Sequence, residues 1–136
     1  MSTVQVGSLA IVGTGLIGAS VGLAARRAGV AVVTGWDPDA EALGVAAERG
    51  AVEPAGSLAN AVAGAELVVV AAPVGELPHT VREVLTHAGE ACTVTDVGST
   101  KRPVCAAAAS DLRFVGGHPI CGAESRGIRE HLITNL

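Results

Sequence analysis

The stretch LAIVGTGLIGAS, residues Leu9–Ser20, decides the fold of this chain of 136 residues. Its β-branched apolar start leads directly into the pattern G-x-G-x-x-G, formed by Gly13, Gly15 and Gly18, and an apolar helical pattern follows. A second apolar run ends at Asp37, nineteen positions after Gly18. Strand, glycines, helix, strand and acid in this order are typical of a βαβ unit that binds a dinucleotide.

Each glycine of this pattern has its own expected role. Gly13 permits the tight turn after the strand, Gly15 lets the backbone approach a pyrophosphate, and Gly18 lets the helix lie close to the strand. The N–H groups at the start of the helix, together with the helix dipole, then hold the phosphates. The alternative is a tight β–α turn in a domain that binds nothing, and the acid at Asp37 argues against it.

The acid at the end of the second strand favours NAD over NADP. The carboxylate of Asp37 is expected to bind the ribose hydroxyls of the adenosine. A 2′-phosphate about 4 Å from it would be repelled by roughly 1–4 kcal/mol, and no Lys or Arg lies between Arg27 and Arg49 to neutralise that charge. Asp39 is expected to cap the next helix.

Charge and composition exclude several other classes of protein. Nine basic and thirteen acidic residues give a net charge of −4, and Trp36 and Phe114 are the two aromatic residues, so neither a basic surface nor a stacking platform for nucleic acid is expected. No apolar stretch is long enough to span a membrane. Three cysteines at unrelated spacings fit reduced thiols in a cytoplasmic protein. Cys121 follows His118 by three positions, but two ligands do not make a metal site, so no metal is expected.

Alternating strand and helix patterns predict one α/β domain with a Rossmann-type, doubly wound and mainly parallel sheet. Strands are predicted at residues 7–12, 31–36, 67–72, 92–95 and 113–115. Helices are predicted at residues 16–28, 40–49, 57–62, 77–87 and 103–109, with Ser57 as the cap of the third.

Ligands of such sheets bind at the carboxyl ends of the strands, where the strand order reverses. The polar and glycine-rich segments of this chain fall on that edge: Gly13–Gly18, Asp37, Ala72–Val74, Asp96–Lys101 and Gly116–Glu124. We therefore expect the functional site there.

These segments resemble motifs of the prephenate dehydrogenase family. The matching motifs are GTGLIGAS at 13–20, APV at 72–74, DVGSTK at 96–101 and GGHPICGAES at 116–125. The last two together, at this separation, are specific to that family and its arogenate-using relatives. The resemblance runs from about Ser8 to Ile128, so residues 1–128 are predicted to form an NAD-binding Rossmann domain and residues 129–136 a tail that does not match. It implies the NAD-dependent oxidative decarboxylation of prephenate to 4-hydroxyphenylpyruvate, a step of tyrosine biosynthesis.

The resemblance also implies roles for individual residues. His118 is the candidate base, since a neutral imidazole suits proton transfer near pH 7. Ser99 is expected to hydrogen-bond to the substrate hydroxyl or to His118, and Glu124 to position or gate the substrate. Asp96 and Lys101 either form a surface pair or organise the loop of Ser99. The residues expected to bind the cofactor are Gly13, Thr14, Gly15, Leu16, Ile17, Gly18, Asp37, Ala72, Pro73 and Val74. The other histidines, His79, His87 and His131, are expected to be structural.

The family continues beyond this sequence. Its members have a further strand and a largely helical second domain, which forms a homodimer and contributes basic residues for the substrate carboxylates. No part of this sequence matches that domain, so the chain is expected to be the cofactor half, with NAD binding retained and very little turnover alone. Three alternatives stay open: arogenate as the substrate, a non-catalytic NAD-binding module, and a Rossmann dehydrogenase of another class such as a hydroxyacid oxidoreductase. The last does not explain the Gly-Gly-His-Pro segment at 116–119.

Overall fold

A parallel β-sheet forms the centre of the molecule. The computed structural model describes residues 6–97 and 111–116. In these residues the strands are β1 (Ser8–Val12), β2 (Val32–Trp36), β3 (Glu53–Pro54), β4 (Leu67–Val70), β5 (Thr93–Asp96) and β6 (Phe114–Val115). The helices are α1 (Leu16–Arg27), α2 (Ala40–Glu48), α3 (Leu58–Val62) and α4 (Leu77–His87), and a 3₁₀ turn at Val74–Glu76 precedes α4.

The strand order is β3-β2-β1-β4-β5-β6, and every neighbouring pair is parallel. Val12 at the end of β1 pairs with Trp36 on one side and with Val70 on the other, and Val70 pairs with Asp96. The carboxyl ends of four strands are therefore level with one another. The order reverses between β1 and β4, so the predicted doubly wound fold is confirmed.

The hydrophobic core is divided between the two faces of the sheet. On one face, α3 and α4 cover residues such as Val12, Val68 and Val94. On the other face, the core includes Ala25 of α1 and Ala46 of α2 beside Leu9, Ile11 and Val69. All four residues of β4 are buried, which explains its unbroken apolar sequence, because a strand covered on both faces has no solvent side.

Most of the predicted elements are present with small differences in their bounds. Asp39 accepts hydrogen bonds from the N–H groups of Glu41 and Ala42, and Ser57 accepts one from that of Asn60, so both predicted helix caps are confirmed. The strand predicted at 67–72 ends at Val70, and the one predicted at 92–95 lies at Thr93–Asp96. The prediction lacked β3 and the 3₁₀ turn, and the helix predicted at 103–109 lies outside the described residues.

Arg113 fastens β6 to the end of α4. Its guanidinium donates to the carbonyls of Leu85, Ala88 and Gly89 at 2.7, 2.8 and 3.2 Å and to the carboxylate of Asp111. Those carbonyls lie in or just after the last turn of the helix, where backbone acceptors lack intrahelical partners. The hydrogen bonds from Arg113 hold the pKa of Asp111 below its ordinary value, and Asp111 in turn raises that of Arg113. Burial raises the pKa of the nearby Cys92 thiol, an effect that Arg113 partly opposes.

No helix within residues 6–97 and 111–116 has both the length and the apolar character needed to cross a membrane.

Candidate nucleotide-binding cleft

A cleft of about 950 Å³ opens at the carboxyl edge of the sheet. One part of its lining is the loop between β1 and α1, a second is the turn Trp36–Asp39 after β2, and a third is the segment Ala71–Val74 after β4. Two of these segments follow β1 and β4, the strands that flank the reversal in strand order, and the third follows β2, the other neighbour of β1. Open α/β sheets bind their ligands at this place.

The structure explains the three glycines of the loop. Gly13 has a φ of +97°, and a Cβ there would lie 2.7 Å from the carbonyl carbon of Ala71. A Cβ on Gly18 would collide with the carbonyl oxygen of Gly13, so only glycine lets α1 approach the loop so closely. A Cβ on Gly15 would meet nothing within 4 Å, and Gly15 lines the cleft. The backbone is thus open to a ligand at Gly15.

The start of α1 faces the same cleft. No side chain accepts a hydrogen bond at its N-cap, Gly15, and its first turn carries no acidic residue. Leu16 and Ile17 of that turn also line the cleft and are 82% and 57% exposed. The N–H groups of a first helical turn have no partner within the helix, and the helix dipole makes this end positive. An anionic group such as a pyrophosphate therefore fits here.

Asp37 joins the two loops that border the cleft. Its Oδ2 accepts from the N–H of Thr14 at 2.7 Å and from the Thr14 hydroxyl at 3.3 Å, while its Oδ1 accepts from the N–H of Asp39 at 2.8 Å. One carboxylate thus connects the glycine loop to the turn that starts α2. Thr14 is 3% exposed and, like Gly18, does not line the cleft. Thr14 and Gly18 therefore support the glycine loop without lining the cleft. The cleft is lined by the other residues expected to bind the cofactor: Gly13, Gly15, Leu16, Ile17, Asp37, Ala72, Pro73 and Val74.

The end of the 3₁₀ turn and one face of α4 form a wall of the cleft that was not predicted from the sequence. Glu76, His79, Thr80 and Glu83 all line it, and the Nε2 of His79 lies 3.3 Å from the Oε1 of Glu83. The spacing of three and four residues places these side chains on one face of a helix. That spacing was the available signal, but it is as typical of an ordinary solvent-exposed face.

The charges of the described lining residues are mostly negative. Asp37, Asp39, Glu76 and Glu83 contribute carboxylates, and no Lys or Arg is among the described residues that line the cleft. The described part of the chain also contains no cluster of three or more His, Cys, Asp or Glu that could hold a metal ion. In this part of the cleft, the positive charge that can attract a phosphate group comes from the helix dipole and the free N–H groups at the start of α1.

The structure corrects one expectation at β5. Asp96 is 1% exposed, so it cannot form the surface pair considered for it. Val97, the next residue, lines the cleft. Lys101, Ser99, His118 and Glu124 lie outside the described residues, so the predicted catalytic and substrate-binding roles stay predictions.

Fold and cleft together define a nucleotide-binding domain of the Rossmann type. Residues 21–134 match the family model described as "Prephenate dehydrogenase, nucleotide-binding domain". The chain belongs to this family.

Three similar proteins are longer than this chain. The prephenate dehydrogenase of Bacillus subtilis is 34% identical over 140 residues, which cover 94% of this chain and 37% of that protein. The crystal structure of prephenate dehydrogenase from A. aeolicus in complex with hydroxyphenyl propionate and NAD+ is 29% identical with a TM-score of 0.73, covering 97% of this chain and 48% of that one. The crystal structure of Synechocystis arogenate dehydrogenase is 28% identical with a TM-score of 0.70, covering 90% and 44%. This chain therefore spans less than half the length of each of them.

Proposed function

We propose that the cleft binds NAD and that the chain is the cofactor-binding part of a prephenate dehydrogenase. The observation that carries the proposal is the combination of a backbone open at Gly15, an uncapped start of α1 and the carboxylate of Asp37 at one cleft. The pyrophosphate lies on the glycine loop and the first turn of α1, and the adenosine ribose lies beside Asp37. NAD supplies the acceptor for a hydride at its nicotinamide ring.

The charge of the cleft supports NAD rather than NADP. A 2′-phosphate on the ribose would face Asp37 and Asp39, and no Lys or Arg is among the described residues that line the cleft. At about 4 Å each such carboxylate repels the phosphate by roughly 1–4 kcal/mol, depending on the local dielectric. The hydroxyls of an unmodified ribose can instead donate to a carboxylate oxygen.

The proposed reaction is an oxidative decarboxylation. Bound NAD would accept the hydride released when the C–H bond at the hydroxyl-bearing ring carbon of the substrate breaks, while the hydroxyl proton would pass to a base of this chain. Loss of the ring carboxylate as carbon dioxide then gives the aromatic product. We assign the base to His118, whose neutral imidazole accepts a proton near pH 7. Ser99 hydrogen-bonds to the hydroxyl or to His118 and fixes the geometry of transfer, and Glu124 positions or gates the substrate. Family membership and the two motifs that contain these residues support the assignment.

Prephenate is the first candidate substrate, because the family model and the Bacillus relative are both prephenate dehydrogenases. Arogenate is the second, because the structure of an arogenate dehydrogenase is similar at 28% identity. The two substrates share the reacting ring and differ in the side chain, so the same residues of this chain serve both. On either substrate the reaction belongs to aromatic amino acid biosynthesis, which we place in the cytoplasm.

The test is NADH production with NAD and each substrate in turn, for this chain and for His118→Asn. NADH production by the unmodified chain that is lost in His118→Asn would support His118 as the base. It would also mean that the residues needed for turnover are all in this chain. NAD binding without turnover supports a role of this chain as the cofactor-binding part of a dehydrogenase. Absence of NAD binding in a calorimetric titration would overturn the proposal.

A further inference from the structure

One wall of the cleft has polar side chains to which the proposed function gives no role. Glu76, His79, Thr80 and Glu83 line the cleft along the 3₁₀ turn and α4. The hydroxyl of Thr80 donates to the carbonyl of Glu76 at 2.9 Å, so its hydrogen is used within the turn. The side chains of His79 and Glu83 are 74% and 53% exposed and pair with each other at 3.3 Å. This pair keeps hydrogen-bonding capacity for a ligand in the cleft.

The proposed position of the cofactor determines what reaches this pair. With the pyrophosphate on the glycine loop and the ribose at Asp37, the base is attached to the ribose on the side away from the pyrophosphate. The lining of the cleft that remains available to the base includes Pro38 and the face of α4. Trp36 and Leu58 also line this cleft and offer apolar surface to a planar ring. His79 and Glu83 belong to that face of α4 and present polar groups to the cleft.

We propose that Glu83, oriented by His79, recognises the amino edge of the adenine base. The inference rests on the proposed binding of NAD and adds the residue that selects the base. An ionised carboxylate only accepts hydrogen bonds. The exocyclic amine of adenine is a donor, whereas hypoxanthine carries a carbonyl oxygen at the same position. A carboxylate oxygen of Glu83 at this position therefore attracts the amine of adenine and repels the carbonyl oxygen of hypoxanthine.

The first experiment compares two dinucleotides on the unmodified chain. NAD and nicotinamide hypoxanthine dinucleotide are titrated by calorimetry, with the fluorescence of Trp36, the single tryptophan, as a second readout. Both carry the same phosphates, riboses and nicotinamide, so a difference in affinity reports the base alone. One hydrogen bond to a partly exposed charged group predicts an affinity about tenfold higher for NAD.

The second experiment assigns the effect to the side chain. In Glu83→Gln, the amide can turn to present either an oxygen or an NH₂ group, so the preference falls below about twofold. Glu90→Gln makes the same chemical change at a residue that does not line the cleft, and it keeps the full preference. Circular dichroism checks that both variants fold.

These outcomes distinguish the inference about Glu83 from the proposed binding of NAD on which it rests. Equal affinities for the two dinucleotides in the unmodified chain would overturn the inference and leave NAD binding in place. A preference that survives in Glu83→Gln would overturn the role of Glu83. Failure of both dinucleotides to bind would overturn the inference and the proposed function together.

Discussion

Replacing Asp37 by Asn tests whether one carboxylate joins the two loops of the cleft. Its two oxygens accept from backbone N–H groups on separate loops, Thr14 at 2.7 Å and Asp39 at 2.8 Å. An asparagine side chain of the same shape keeps one oxygen and turns an NH₂ group toward the other donor. One backbone N–H is then left facing a second donor.

The cost follows from the hydrogen bond that is lost. Leaving a partly buried donor without its charged acceptor costs about 1–3 kcal/mol. For a domain of this size, each kcal/mol lowers the melting temperature by roughly 4 °C. We therefore expect Asp37→Asn to melt about 4–12 °C below the unmodified chain, as measured by circular dichroism.

Asp39→Asn is the matched control. It removes a carboxylate from the same turn, but a single oxygen of Asp39 accepts from both Glu41 and Ala42. An asparagine can place its own oxygen there and caps a helix about as well as aspartate, so the cost stays below about 0.5 kcal/mol. If the two variants melted at the same temperature, the loss of stability would come from removing a negative charge from the turn. The assignment of Asp37 as the residue that joins the glycine loop to this turn would then be wrong.

Four further predictions follow from contacts described above. Removing the charge in Asp37→Asn lowers the ratio of NAD affinity to NADP affinity by at least about fivefold. Titration calorimetry at a temperature where the variant is folded measures this ratio. Gly18→Ala places a methyl against the carbonyl oxygen of Gly13 and costs about 1–3 kcal/mol or more in urea unfolding; unchanged stability would contradict the close approach. Arg113→Gln removes the guanidinium from three carbonyls and costs about 2 kcal/mol in the same assay. Because the folded pKa of Asp111 lies below its ordinary 3.8, its stabilising contribution is complete above that pH and is lost as the pH falls through the folded pKa. Asp111→Asn should therefore lose less stability on acidification than the unmodified chain does.

Local patterns allowed most of the fold to be predicted. The glycine motif placed the start of α1, and Leu77–His87 was predicted with the bounds that the structure shows. The edge strand β3 could not be found in the same way. It has two exposed residues, one of them a proline, and its pairing with Thr34 and Gly35 of β2 is what defines it as a strand. Two exposed residues cannot show the alternation of apolar and polar positions that would indicate a strand.

The site was predictable in position but not in detail. Asp37 was identified from its place at the end of a strand, yet its hydrogen bond to Thr14 joins residues 23 positions apart and depends on the packing of two strands. The same holds for the wall of α4. The helical spacing of His79 and its neighbours is as typical of an ordinary exposed face, and His79 lines the cleft because α4 packs beside the end of β4. Such contacts arise from tertiary structure, which no local pattern contains.

The central position of β1 has a consequence for how the chain folds during synthesis. β1 pairs with β2 and also with β4, so Val12 pairs with Val70 although two strands and three helices lie between them in the chain. A nascent chain that ends before Leu67 contains the glycine loop and Asp37 but not the Ala71–Val74 side of the cleft. Contacts between distant segments form late and slowly. The nucleotide therefore finds a complete cleft only after β1 has paired with β4. Because it binds only the folded domain, an excess of nucleotide slows unfolding of the domain rather than accelerating its folding.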